Sequence, residues 1–141
     1  MENQESATIY PGSKQPEYQW SNRVVLITED EEVNFFYLKT LLKKTEARVL
    51  HAKNGKEAVD ILAEYNGDID LILMDINMPV MDGYEAMRII KAKHPDLPII
   101  AQTAYALNND RRKCLNAGFN DYIAKPINKV ALFRLVNENL S

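Results

Sequence analysis

Three acidic residues of this sequence fall where short apolar runs end. Glu29 and Asp30 come just after Val24-Val25-Leu26-Ile27, and Asp75 directly follows Leu71-Ile72-Leu73-Met74. Thr103 comes just after Pro98-Ile99-Ile100-Ala101, and Lys125 directly follows Asp121-Tyr122-Ile123-Ala124. If the runs are parallel strands of one sheet, these groups share the edge formed by the strands' carboxyl ends, where such sheets bind ligands. Two carboxylates about 5 Å apart repel by about 3 kcal/mol at an effective dielectric near 20. Three of them need a raised pKa or a cation in their midst. Oxygen donors with no nearby His or Cys favour a hard ion, Mg²⁺ before Mn²⁺ where phosphate is handled. Add an ammonium and a hydroxyl, and the set suits a phosphoryl group with charge spread over its oxygens. A plainer reading has Glu29 and Asp30 capping a helix, where acids meet the macrodipole favourably. That reading leaves Asp75 and Lys125 on the same edge unexplained.

The elements that must position these residues are legible in the apolar pattern. Several runs are continuous rather than alternating, as strands buried on both faces should be; Arg48-Val49-Leu50 supplies the remaining strand. Between the runs lie helical periods. Ala58, Ile61, Leu62 and Tyr65 repeat at i, i+3, i+4, i+7, and Leu132, Leu135, Val136 and Leu140 continue the pattern near the end. Asn54 with Glu57 predicts a capping box, and Asp82 and Asn128 predict caps for the third and fifth helices. Five strands alternating with five helices predict an α/β fold, a parallel sheet covered on both faces.

With 141 residues, 46% of them hydrophobic, the chain has material for one domain with one closed core. A net charge of −3 and the lack of a basic stripe argue against direct nucleic-acid binding. Cys114 is the only cysteine, which suits a reducing compartment. No apolar run approaches the roughly 18 residues of a membrane span, and residues 1–5 are too polar for a signal peptide. A soluble cytoplasmic domain without membrane contact is expected, alone or as the cytoplasmic end of a membrane-bound chain. Residues 1–22, with Pro11, Gly12, Ser13 and Pro16, read as a flexible N-terminal linker or tail, leaving residues 23–141 as the folded domain. Of Tyr10, Tyr18 and Trp20, one or two are expected to pack loosely on that domain; the alternative is a junction with an upstream one.

Four motifs in order then resemble the receiver domain of response regulators in two-component systems, most closely those within hybrid histidine kinases. They are Leu26-Ile27-Thr28-Glu29-Asp30, Leu73-Met74-Asp75-Ile76-Asn77-Met78-Pro79-Val80-Met81-Asp82-Gly83, Gln102-Thr103-Ala104 and Asp121-Tyr122-Ile123-Ala124-Lys125-Pro126. Asn34 and Cys114-Leu115-Asn116-Ala117-Gly118 add to the likeness. The resemblance implies a three-layer, flavodoxin-like (βα)5 fold with a five-stranded parallel sheet in the order 2-1-3-4-5. It implies Asp75 as phosphoacceptor, taking the group from a phosphohistidine on a histidine kinase or histidine phosphotransfer protein. Asp30, Asp75 and the Asn77 backbone carbonyl would hold Mg²⁺, with Glu29 acting through water. Lys125 and Thr103 would bind phosphoryl oxygens, and Thr103 with Tyr122 would form the switch that alters the face of the fourth helix, fifth strand and fifth helix. A weak dimer through helices 4 and 5 is compatible with that face. The Lys125-Pro126 bond is cis in such domains. Two departures stand out: Glu29 where many members have Asp, and Thr45-Glu46 where a glycine C-cap is frequent.

Tyr105 and Asn77 lie where residues of this family modulate access to the phosphoryl group. The Tyr105 ring is expected to screen it from water, the alternative being a surface aromatic for partner contact. Tyr122 could instead be a static core residue. His51 and His94 follow no catalytic or ligand spacing and are assigned to structure, Cys114 to the apolar interior, and Met74, Met78 and Met81 to packing. Two rival functions remain. A haloacid dehalogenase-like phosphohydrolase resembles Asp-x-Asp-x-Thr at the third strand, whereas here Asn77 and Pro79 replace the second acid and the Thr. A phosphorylation-independent binding module is disfavoured by the complete set of Glu29, Asp30, Asp75, Thr103 and Lys125.

Overall fold

The computed structural model describes residues 7–8, 17–104 and 110–141. Among them, in chain order, are β1 (Ala7–Thr8), β2 (Glu17–Tyr18), β3 (Val24–Thr28), α1 (Glu32–Lys43), β4 (Arg48–Ala52), α2 (Gly55–Glu64), β5 (Leu71–Asp75), α3 (Gly83–Lys93), β6 (Ile99–Thr103), α4 (Asp110–Ala117), β7 (Asp121–Ala124) and α5 (Lys129–Leu140). Strands β3 to β7 form one parallel sheet in the order β4-β3-β5-β6-β7. Counted from β3, this is the expected 2-1-3-4-5.

The continuous apolar runs have a direct physical cause. Successive strand residues point to opposite faces, and here both faces are covered. Leu26, Ile72, Met74, Ile99 and Ala101 pack with Ala58, Met87, Ile90 and Phe119 from the α2–α4 side. Val25, Ile27, Leu71, Leu73 and Ile100 pack with Leu38, Leu42, Leu132 and Val136 of α1 and α5. A strand enclosed this way has no polar face to show, and all five residues of β5 are buried.

The predicted caps form. Asn54, Asp82 and Asn128 accept hydrogen bonds from the backbone N–H groups of Glu57, Glu85 and Ala131 at 2.9, 3.0 and 2.9 Å. The Glu57 carboxylate reaches back to the N–H of Lys53 at 2.7 Å, one residue earlier than in the usual capping box. At the end of α1, Glu46 adopts φ 66, the left-handed conformation that glycine supplies most easily. Thr45 closes the turn instead, donating to the Leu42 carbonyl at 2.6 Å and accepting from Ala47 N–H at 3.2 Å.

One expectation needs correcting. The sequence suggested a linker or tail up to residue 22, with one or two of Tyr10, Tyr18 and Trp20 packing loosely on the domain. Trp20 is instead only 2% exposed and joins the core on the α1–α5 side. Its ring lies 6.1 Å from Phe133 and 5.2 Å from Tyr18, and its backbone N–H donates to the Thr45 carbonyl at 2.7 Å. Polar punctuation upstream hid this, because an isolated Trp carries no period. Tyr18 lies in β2, which pairs antiparallel with β1 outside the main sheet. Tyr10 lies outside the described residues.

Candidate functional site

The sheet register brings the acids together. Pairing of β3 with β5 sets Thr28 beside Met74, so the residues that follow, Glu29 and Asp75, leave neighbouring strands at one level. One oxygen each from Glu29, Asp30 and Asp75 lies within 4.8 Å of the others. Glu29 is fully buried, Asp75 is 3% exposed and Asp30 is exposed. Such a set fits a hard divalent cation, since all donors are oxygens and the charge exceeds what one ammonium neutralises.

That ammonium is Lys125. Its Nζ donates to Asp75 Oδ2 at 3.0 Å and lies 3.1 Å from Glu29 Oε1. Burial alone would lower its pKa, but the bond to Asp75 and the charges of Asp75 and Glu29 raise it above the ordinary value. Glu29 is pushed upward by its burial first and by the Asp75 charge second, while Lys125 and the Glu31 N–H pull it back. The second Asp75 oxygen, Oδ1, accepts from the Asn77 N–H at 2.9 Å. Both oxygens of this carboxylate are therefore held.

Thr103 ends β6, is 1% exposed, and receives the Lys125 N–H at its carbonyl at 2.8 Å. The Lys125-Pro126 bond is cis. Tyr122 is half-buried against the α2–α4 side of the core, where burial first and the charge of Asp110 second raise its phenol. A pocket of about 470 Å³ opens at this edge, lined by Asp30, Asp75, Asn77 and Lys125 together with Glu31, Asn34, Ala104 and Pro126. Glu29, Asp30, Asp75, Asn77 and Lys125 thus lie together at this edge, and Thr103 stands on the adjoining strand end. Tyr105 lies outside the described residues.

The β5–α3 loop shows why the motif after Asp75 has its form. A Cβ on Gly83 would sit 2.5 Å from the Asp75 carbonyl and 2.7 Å from Ile76 Cα, so only glycine lets α3 start against the strand end. Val80 takes φ 70, and Met81 N–H bonds the Pro79 carbonyl at 2.8 Å across it, a tight three-residue turn. The Met81 carbonyl then accepts the N–H of Gly55 at 3.1 Å, tying this loop to the start of α2. Gly55 escaped the sequence reading; its small-residue requirement is visible only when Met81 is seen to abut it.

His51 and His94 have structural places. His51 stacks on Phe35 at 3.6 Å and its Nε2 lies 2.9 Å from the Glu29 carbonyl, while His94 follows α3. Cys114 is buried, 3.5 Å from the Tyr84 hydroxyl. Met74 and Met78 are buried core residues, with Met81 packed against them. No helix among the described residues is long and apolar enough to cross a membrane.

A doubly wound parallel sheet with an acidic, lysine-paired pocket at its carboxyl edge defines a class of phosphoryl-handling α/β domains. Within that class, residues 25–137 match the family described as the response regulator receiver domain. The chain belongs to this family. It is 41% identical over 123 residues to hybrid signal transduction histidine kinase I of Dictyostelium discoideum, covering 82% of this chain and 7% of that one. It is 37% identical over 117 residues to sensor protein GacS of Pseudomonas syringae, covering 79% of this chain and 13% of that one. The chain therefore spans a small part of these relatives. Among solved structures, the receiver domain of sensor histidine kinase PA1611 from Pseudomonas aeruginosa, described with a magnesium ion coordinated in its active site cleft, superposes with TM-score 0.75. That pair shares 41% identity and covers 84% of this chain and 97% of the other. The receiver domain of Ssk1 from Saccharomyces cerevisiae, solved with the histidine phosphotransfer protein Ypd1, matches at TM-score 0.73 and 37% identity over 82% and 87% of the two chains. These relatives mark a phosphoacceptor signalling switch and leave no support for the phosphohydrolase alternative.

Proposed function

We propose that Asp75 accepts a phosphoryl group from a phosphohistidine of a histidine kinase or histidine phosphotransfer protein, and that the product changes the partner-binding face. One observation carries this reading: the Asp75 carboxylate is fixed through both oxygens, by Lys125 and the Asn77 N–H, inside an acidic pocket open to solvent. A carboxylate so held is oriented before its partner arrives, which lowers the entropic part of the barrier. In the transfer, an Asp75 oxygen forms the new O–P bond as the donor's N–P bond breaks. The electron pair departs with the imidazole nitrogen, which then takes up a proton. Lys125 is close enough to follow the incoming charge from the carboxylate to a phosphoryl oxygen.

Asp30, Asp75 and the Asn77 carbonyl would hold Mg²⁺, with Glu29 behind them, and the ion supplies charge neutralisation at the phosphoryl oxygens. Mn²⁺ fits the same donors. The Thr103 hydroxyl would bond a further phosphoryl oxygen, and its shift would draw Tyr122 inward. The altered surface is the one formed by α4, β7 and α5, where partner binding or weak self-association changes. The domain acts as a stoichiometric acceptor, populating two states rather than turning over substrate. Its buried single thiol and its phosphohistidine donor both suit a cytoplasmic setting.

Incubation with a phosphorylated histidine phosphotransfer protein tests the reading. Label should move to the wild-type chain and not to Asp75→Asn. Transfer of equal extent to that variant would place the acceptor elsewhere.

A further inference from the structure

Behind the phosphoacceptor edge, on the α1–α5 side of the sheet, lies a second and smaller pocket of about 130 Å³. Its walls are largely apolar: Leu38 and the Tyr37 ring from α1, then Pro126 and Ile127 from the loop after β7. Gln102 also lines it, at 1% exposure, and among the described residues neither Oε1 nor Nε2 of that side chain has a hydrogen-bond partner. Buried polar groups are normally paired, and a primary amide left wholly unpaired is costly. An amide with one donor side and one acceptor side both vacant, in an otherwise apolar recess, is the pattern of a ligand site.

The remaining walls restrict the ligand's charge. Lys125 contributes to the lining, but its ammonium is engaged with Asp75 and Glu29 on the other side. The Asn34 amide nitrogen is bonded to Glu31 at 2.7 Å, and the Tyr37 hydroxyl to the Ile127 carbonyl at 3.0 Å. No side chain facing the recess offers an unengaged charge, so a charged ligand would lose its hydration without compensation. The volume is below that of pockets for drug-sized molecules, roughly 300–1,000 Å³, and suits one small ring.

We propose that this recess binds a small neutral molecule carrying an adjacent donor and acceptor, a ring bearing a carboxamide or a lactam, paired edge to edge with the Gln102 amide. Because its walls include Lys125 and Pro126, such a ligand would sit directly behind the phosphoryl-binding ammonium. The claim is independent of whether Asp75 is phosphorylated, and its test needs no phosphoryl donor.

Benzamide is the probe, followed by two-dimensional amide NMR of the full chain. The expected result is a saturable shift of the Gln102 side-chain NH₂ pair and of the Ile127 backbone amide. Gln102→Leu, which keeps size and removes the hydrogen bonds, should weaken binding at least tenfold. Asn34→Phe, at a half-buried position that lines the recess, should fill it and serves as the deciding variant if Gln102→Leu does not fold. Absence of any saturable shift, or binding undiminished in the folded variant, would overturn the proposal. So would bound water at the Gln102 amide that benzamide does not displace.

Discussion

The charge balance at the site is set by individual residues. Glu29 is fully buried beside Asp75, and among the described residues Lys125 is the ammonium that pairs with both. Since the Glu29 pKa is raised above its ordinary 4.5, between that value and the folded one the folded domain holds a proton that the unfolded chain has released. Glu29 therefore contributes stability below that pH and loses it as pH rises through the higher folded value. Without metal, Glu29→Gln should flatten this decline, and melting curves taken from pH 4.5 upward would check it. A variant that still loses stability as steeply as wild type would shift the cause to other groups. The acids and Lys125 were legible in the sequence because each follows a strand run. Their pairing geometry was not, since it depends on register and on the Asn77 N–H turning back to Asp75. Gln102 was readable as a polar residue at the end of an apolar run, though its unpaired state appears only once α1 and the β7–α5 loop are packed over it.

At the scale of elements, the caps were the most readable feature, because a short polar side chain three residues before an acceptor-seeking N–H acts locally. The glycines were less so. Gly83 stands in a recognisable motif, yet its reason is steric, the closeness of α3 to the end of β5. Gly83→Ala should push α3 away from the strand end, lowering stability by about 1–3 kcal/mol through overpacking and slowing phosphorylation of Asp75 by disturbing the carboxylate's backbone. Denaturant unfolding alongside the phosphorylation rate would measure both. Unchanged values in each would mean the loop absorbs the methyl group without cost. The end of α1 teaches a related lesson: Glu46 occupies a left-handed position where glycine was the expected residue, and Thr45 supplies the hydrogen bonds that hold the turn.

For the whole molecule, the parallel sheet and its two covered faces followed from alternation of element types, because parallel strands demand crossovers, while the strand order followed from the family resemblance. The N-terminal limit did not follow. Trp20 packs on the α1–α5 side against Tyr18 and Phe133, within the stretch that the sequence assigned to a tail. Trp20→Ala should cost about 3–5 kcal/mol, a large part of the roughly 5–15 kcal/mol that holds a domain together. A chain beginning at residue 23 should likewise melt well below one beginning at residue 17. Equal melting temperatures for the two would show that the segment rests on the domain without supporting it.

The central claim, a phosphoryl group carried on Asp75, is tested most directly by intact mass after incubation with Mg²⁺ and acetyl phosphate. The account predicts one added phosphoryl group in the wild-type chain, abolished by chelation, labile to base and absent from Asp75→Asn. An adduct of the same size persisting in that variant, or none in the wild type under any metal condition, would contradict it.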